Sequence, residues 1–131
     1  MRILLDTHVF LWAQTERKRL REQLSVMEDS RNELLVSAVT SWEIAIKYAL
    51  GKLPLPEPPA RYVPARLRAI GAQALPIEHT HALAVADLPL LHSDPFDRLL
   101  VAQARALDVP ILTADPTIAR YPVQTLLMAG A

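Results

Sequence analysis

The sequence predicts an α/β fold with a parallel sheet. Three observations predict it: short apolar runs that do not alternate with polar residues, helical stretches between those runs, and acids where runs end or helices begin. A strand buried on both faces reads as a continuous apolar run, as in parallel sheets covered by helices. Alternation of such strands with helices is the pattern of α/β domains.

The elements follow in order. Ile3-Leu4-Leu5 is the first buried strand and ends at Asp6. Val9-Phe10-Leu11-Trp12 suits a short helical turn. Residues 16–30 read as an exposed helix, with Leu20, Leu24 and Met27 at helical spacing among charges. Leu34-Leu35-Val36-Ser37 is a second buried strand. Residues 40–50 form a helix, because Thr40-Ser41-Trp42-Glu43 matches a capping box and Gly51 stands where a C-terminal cap belongs. Prolines 54, 56, 58 and 59 make residues 53–59 an extended connector. Residues 61–70 are helical up to Gly71. Residues 74–77 form a short strand and 78–87 a helix. Asp94-Pro95 opens a helix running to about residue 108, with Pro95 at its first position. Residues 109–113 and 123–126 are the last strands.

The bulk numbers bound the rest. A chain of 131 residues suits one domain and buries a core without staples. With 51% hydrophobic and 21% charged residues it is globular rather than disordered. The absence of cysteine excludes a disulfide framework, a thiolate zinc site and a cysteine nucleophile, and it fits a reducing cytoplasm. No apolar run approaches the roughly 20 residues of a membrane helix. Asp6 comes too early for the apolar part of a signal peptide. The expectation is a soluble cytoplasmic protein with no membrane segment.

Formal net charge is zero, which is not the footprint of a protein that grips nucleic acid by bulk charge. Residues 1–68 hold 11 Lys/Arg against 8 Asp/Glu, and residues 69–131 hold 3 against 6. The result is a mild dipole with a modest basic face. Arg17-Lys18-Arg19 with Arg21 suits either an RNA backbone or a solvated helix face.

Four acids stand out. In open α/β sheets, ligands bind beyond the carboxyl ends of the strands. Asp6 follows the first strand and Asp115 follows the strand at 109–113. Glu43 falls on the first turn of one helix and Asp97 on the first turn of another. All four therefore lie at one edge of such a fold. Two unit charges 4 Å apart repel by about 4 kcal/mol at an effective dielectric near 20. Oxygen ligands of this kind select hard divalent ions, Mg²⁺ or Mn²⁺, which serve phosphoryl chemistry.

Each acid also has a plain structural reading. Asp6 can end a strand in a turn. Glu43 can complete a capping box and pair with Lys47 one turn on. Asp94 reads as an N-cap, and Asp97 three residues later suits the helix dipole. Asp115 before Pro116 can cap a short final helix.

Several segments together resemble a known family. They are Leu4-Leu5-Asp6-Thr7, Ser37-Ala38-Val39 leading to Trp42-Glu43-Ile44, Asp94-Pro95-Phe96-Asp97-Arg98-Leu99-Leu100 with Ala102-Gln103-Ala104, and Leu112-Thr113-Ala114-Asp115. In this order they resemble the PIN-domain ribonucleases, and among them the VapC-type toxins of bacterial toxin–antitoxin pairs. The resemblance spans nearly the whole chain. It implies a three-layer α/β/α sandwich around a central, mainly parallel sheet of four to five strands, and RNA cleavage that depends on Mg²⁺ or Mn²⁺. The family's acids fall on Asp6, Glu43, Asp97 and Asp115, as metal ligands and catalytic groups. Thr113 falls where the family often has Ser or Thr near the metal. Asp94 belongs to the same motif as a cap or supporting residue. Arg98 is either a contact to substrate phosphate or an exposed helix residue. The resemblance also implies an RNA substrate, a cognate antitoxin and a homodimer.

Other residues carry less. His8, His79, His81 and His92 are too scattered to imply a site and read as structural or surface residues. Trp12 and Trp42 suit base stacking, core or an interface. The apolar faces at 10–12 and 44–53 suit an antitoxin segment, a second subunit or core. A haloacid-dehalogenase-like phosphatase would need a second acid two residues after Asp6, where His8 stands. A PIN-like module that binds without cutting is the remaining alternative, and the intact acid set argues against it.

Overall fold

Ile3, Leu4 and Leu5 are all completely buried, as a strand covered on both sides requires. The computed structural model describes residues 1–20 and 23–127. The strands are β1 (Arg2–Leu5), β2 (Glu33–Ser37), β3 (Gln73–Leu75), β4 (Ile111–Thr113) and β5 (Thr125–Leu127). The helices are α1 (Thr7–Thr15), α2 (Gln23–Glu28), α3 (Ala38–Ala49), α4 (Pro59–Ile70), α5 (His79–Leu83) and α6 (Pro95–Leu107). Single 3₁₀ turns lie at Arg17–Arg19, Ala84–Asp87 and Ile118–Arg120.

The strands form one sheet in the order β3-β2-β1-β4-β5, with every pairing parallel. Strand pleating sends successive side chains to opposite faces. Ile3, Leu5, Leu34, Val36 and Leu112 pack with Phe10 of α1, Ile44 of α3 and Tyr62 of α4. On the other face Leu4, Leu35 and Ile111 pack with Leu100, Val101 and Ala104 of α6. This is the expected three-layer sandwich, and its sheet is wholly parallel among the described residues.

From β1 the chain builds outward to β2 and β3, then returns to place β4 on the other side of β1. The order reverses between β1 and β4. Open α/β sheets leave a ligand crevice at such a switch point, at the carboxyl ends of the strands.

Several elements depart from expectation. The stretch 16–30 is not one exposed helix. Glu16 leaves helical geometry at φ −130° and ψ 51°, and its N–H closes α1 on Trp12 O. A 3₁₀ turn and the short α2 follow, which lets Leu20 and Met27 reach the core. Arg21 of the basic cluster lies outside the described residues. The turn expected at 9–12 is the middle of the nine-residue α1, which Asp6 caps. The helix expected at 78–87 divides into α5 and a 3₁₀ turn.

The capping box at Thr40 is absent. Ser37, the last residue of β2, is itself the N-cap, with its hydroxyl accepting from Val39 N at 3.0 Å. Strand therefore passes into helix without a loop. Thr40 is instead buried, with its hydroxyl 3.1 Å from that of Thr7. The closing cap is as expected: Gly51 follows α3 at φ 72°, in the left-handed region that glycine enters without a Cβ clash.

Candidate active site

Asp6 is the hub of the carboxyl edge. It leaves β1 in extended geometry and caps α1, its Oδ1 accepting from Val9 N at 2.8 Å. Its Oδ2 accepts from the hydroxyl of Thr113, the last residue of β4. Parallel pairing of β1 with β4, Leu5 opposite Leu112, brings the two residues together. Burial pushes the Asp6 carboxyl above its ordinary range, against the Thr113 and Val9 hydrogen bonds that lower it. Repulsion from Asp115 adds to the rise, so those two carboxylates sense each other.

Asp115 is held by its own loop. Its N–H donates to Thr113 Oγ1 at 3.0 Å and its Oδ1 accepts from Thr117 N at 2.8 Å. The expected cap is in fact this turn, since the 3₁₀ segment beyond it has Thr117 as N-cap with no side-chain bond.

Glu43 and Asp97 form a second pair. The early start of α3 puts Glu43 on its second turn rather than its first, so capping does not account for it. It is only 4% exposed, and Lys47 Nζ reaches its Oε2 at 2.5 Å, the pairing expected one turn on. Asp97 lies on the first turn of α6. Asp94 caps that helix as expected, its Oδ1 accepting from Phe96 N at 2.9 Å and Asp97 N at 3.0 Å. Burial, with repulsion from Asp94 and Glu43, pushes the Asp97 carboxyl up to about 6, against the His92 hydrogen bond that lowers it. Trp42 beside Glu43 and Phe96 beside Asp97 meet edge to face, their ring centroids 4.9 Å apart. That contact pins the starts of α3 and α6 together.

Arg98 is neither exposed nor free for substrate. It is 9% exposed. Its Nη1 donates to Pro89 O at 2.8 Å and to Tyr121 Oη at 3.2 Å. Arg98 turns inward from α6, and its guanidinium ties the loop before α6 to the chain beyond β4.

His92 is the residue that sequence reasoning passed over. Its Nε2 lies 3.2 Å from Asp97 Oδ2 and its Nδ1 lies 2.6 Å from Tyr121 Oη. No spacing signal announces it, because Tyr121 is 29 positions away. His81 and His8 are structural and surface residues, as expected. His81 is buried and accepts from Glu78 N, closing the start of α5, while His8 is exposed. Trp42 is half exposed, as are Tyr48 and Leu50 on the α3 side, whereas Phe10 and Ile44 are core.

The donor set suits a hard divalent ion, being carboxylate oxygen throughout, partly buried and short of balancing positive charge. Among the described residues, however, no three Asp, Glu, His or Cys side chains converge to hold an ion. By repulsion the acids act on one another in two sets, Asp115 on Asp6, and Asp94 and Glu43 on Asp97. Mg²⁺ commonly keeps several waters and takes only one or two carboxylates, so each set fits it in kind.

Known proteins share this fold. The sequence pattern of the PIN domain matches residues 3–124. A 62-residue stretch is 50% identical to ribonuclease VapC16 of Mycobacterium tuberculosis (strain ATCC 25618 / H37Rv). That stretch is 47% of this chain and 44% of the relative's length. The fold matches a chain of the VapBC2 complex of Rickettsia felis, solved bound to a promoter DNA fragment, with a TM-score of 0.74 at 16% identity. That match covers 97% of this chain and 98% of the other. It also matches VapBC-1 of nontypeable Haemophilus influenzae with a TM-score of 0.66 at 19% identity, covering 98% of each chain.

Proposed function

This chain belongs to the PIN-domain family, and from that premise we propose that it is a divalent-metal-dependent endoribonuclease, the toxin of a toxin–antitoxin pair. The observation that carries the proposal is the Asp6–Thr113–Asp115 arrangement at the β1/β4 switch point, with Glu43 and Asp97 on the same edge. The half-length identity to a ribonuclease supports the same reading.

Asp6 and Asp115 would hold Mg²⁺ or Mn²⁺ on one side, and Asp97 with Glu43 on the other. When bound, the ion supplies positive charge to a scissile phosphate and lowers the pKa of an attacking water. Thr113 holds Asp6 in its rotamer, and Asp94 holds the backbone from which Asp97 projects. Glu43 is a ligand or the group that orients water, with Lys47 screening its charge. RNA is the substrate of this proposal. An antitoxin protein, a second copy of the chain and a cytoplasmic setting complete it. No helix among the described residues is long and apolar enough to cross a membrane.

A binding module without activity is the second reading, favoured by the lack of any three converging ligands among the described residues. One experiment separates the two. Wild type, Asp6→Asn and EDTA-treated protein are compared on a broad RNA panel with Mg²⁺ or Mn²⁺. Cleavage by wild type alone supports the nuclease. Equal cleavage by all three, or none by metal-loaded wild type, sinks it.

A further inference from the structure

Four polar groups from three separate segments meet in a single file beside Asp97. Arg98 Nη1 lies 3.2 Å from Tyr121 Oη, which lies 2.6 Å from His92 Nδ1, and His92 Nε2 lies 3.2 Å from Asp97 Oδ2. The imidazole and phenol rings pack with centroids 5.4 Å apart. Tyr121 is 3% exposed, and the side chains of His92 and Asp97 are 22% and 25% exposed.

The direction of each bond follows from what each group can do. A guanidinium only donates. Arg98 therefore donates to Tyr121 Oη. The phenol proton then points to the other partner within reach, His92 Nδ1. A neutral imidazole that accepts at Nδ1 carries its proton at Nε2. That proton faces Asp97 Oδ2. Asp97 has its backbone N–H fixed from the other side by Asp94.

We infer that His92 is a positioning residue for Asp97: Tyr121, itself oriented by Arg98, locks the imidazole as the Nε2–H tautomer, and His92 clamps Oδ2 so that Oδ1 is the oxygen left for a cation. The inference rests on Asp97 being a ligand as proposed above. Partners that orient ligand side chains in this way commonly change metal affinity by about 10–100-fold.

The test has two arms that fail separately. Long-range ¹H–¹⁵N NMR of the metal-free protein reads the tautomer of each neutral imidazole, with His92 assigned through His92→Gln. The expected result is Nε2–H for His92 in wild type and a mixture or Nδ1–H in Tyr121→Phe. An Nδ1–H tautomer in wild type overturns the inference, whatever the protein does with metal. Mn²⁺ binding, followed by electron paramagnetic resonance, is the second arm. His92→Ala is expected to weaken Mn²⁺ at least tenfold in an otherwise wild-type chain, and to have no effect in an Asp97→Asn background. His92→Gln, which keeps an N–H donor, recovers part of the loss. Unchanged Mn²⁺ affinity in His92→Ala, or an equal loss in both backgrounds, overturns the positioning role. Equal Mn²⁺ binding by wild type and Asp97→Asn instead removes Asp97 from the ligand set, and with it the clamp's purpose. Circular dichroism of each variant confirms the fold, and Tyr121→Phe keeps the ring volume in place.

Discussion

The hydroxyl of Thr113 donates to the carboxylate of Asp6, joining the ends of two adjacent strands 107 positions apart in sequence. The same oxygen accepts from Asp115 N at 3.0 Å. One side chain therefore sets both acids of the β1/β4 crevice. A buried carboxyl that keeps only one of two donors is harder to ionise.

Thr113→Val preserves shape and removes both bonds. Loss of a buried hydrogen bond to a charged group costs on the order of 1–3 kcal/mol. Thr113→Val is expected to lose that much stability at pH 7 in urea denaturation, and to lose most RNA cleavage. Thr113→Ser should keep both. A valine variant as stable and active as wild type would show that the hydroxyl positions nothing.

Asp97 predicts a pH signature. Its carboxyl is raised from an ordinary 3.8 to about 6 in the folded chain. The folded state thus binds this proton more tightly than the unfolded state. Its contribution favours the fold below about pH 3.8 and is lost as pH rises to about 6. Asp97→Asn never ionises. It is expected to gain on the order of 2 kcal/mol over wild type above roughly pH 6.5, since each tenfold difference in proton affinity is worth about 1.4 kcal/mol. The two melting curves should converge near pH 4. Mg²⁺ should narrow the gap at pH 7.5 by stabilising wild type alone. A difference in Tm that is flat from pH 4 to 8 would contradict this linkage.

Arg98 predicts loss of stability rather than of substrate binding. Arg98→Met fills similar volume but leaves the Pro89 carbonyl without its donor and removes the guanidinium that orients the Tyr121 hydroxyl. Unfolding free energy should fall by about 2–3 kcal/mol, the cost of stranding buried polar groups. The KM for RNA should change less than twofold at a temperature where the variant is folded. A large rise in KM with unchanged stability would restore the phosphate contact read from the sequence.

Much of the fold is legible locally. Ile3-Leu4-Leu5, Leu34-Leu35-Val36 and Ile111-Leu112 are apolar because both sheet faces are covered, so the strands and the layered fold can be read from runs. Asp94-Pro95 marks the start of α6 because the cap and the proline both act within one turn. The start of α3 is misread because Ser37 and Thr40 are both competent caps. The choice between them depends on how β2 ends, not on the local string.

What the sequence determined by itself was the alternation of buried strands with helices and, at Asp94-Pro95, the start of α6. Those follow from burial and from one-turn capping chemistry, which act between near neighbours. The tertiary structure decided the rest. It placed β4 beside β1, so that Thr113 reaches Asp6. It set Asp115 against Asp6, and Asp94 and Glu43 against Asp97. It turned Arg98 inward and brought His92 and Tyr121 to Asp97. The bonds of Tyr121 to His92 and Arg98, and of Thr113 to Asp6, join distant segments, and only the packing of the whole sheet against its helices brings such segments within reach.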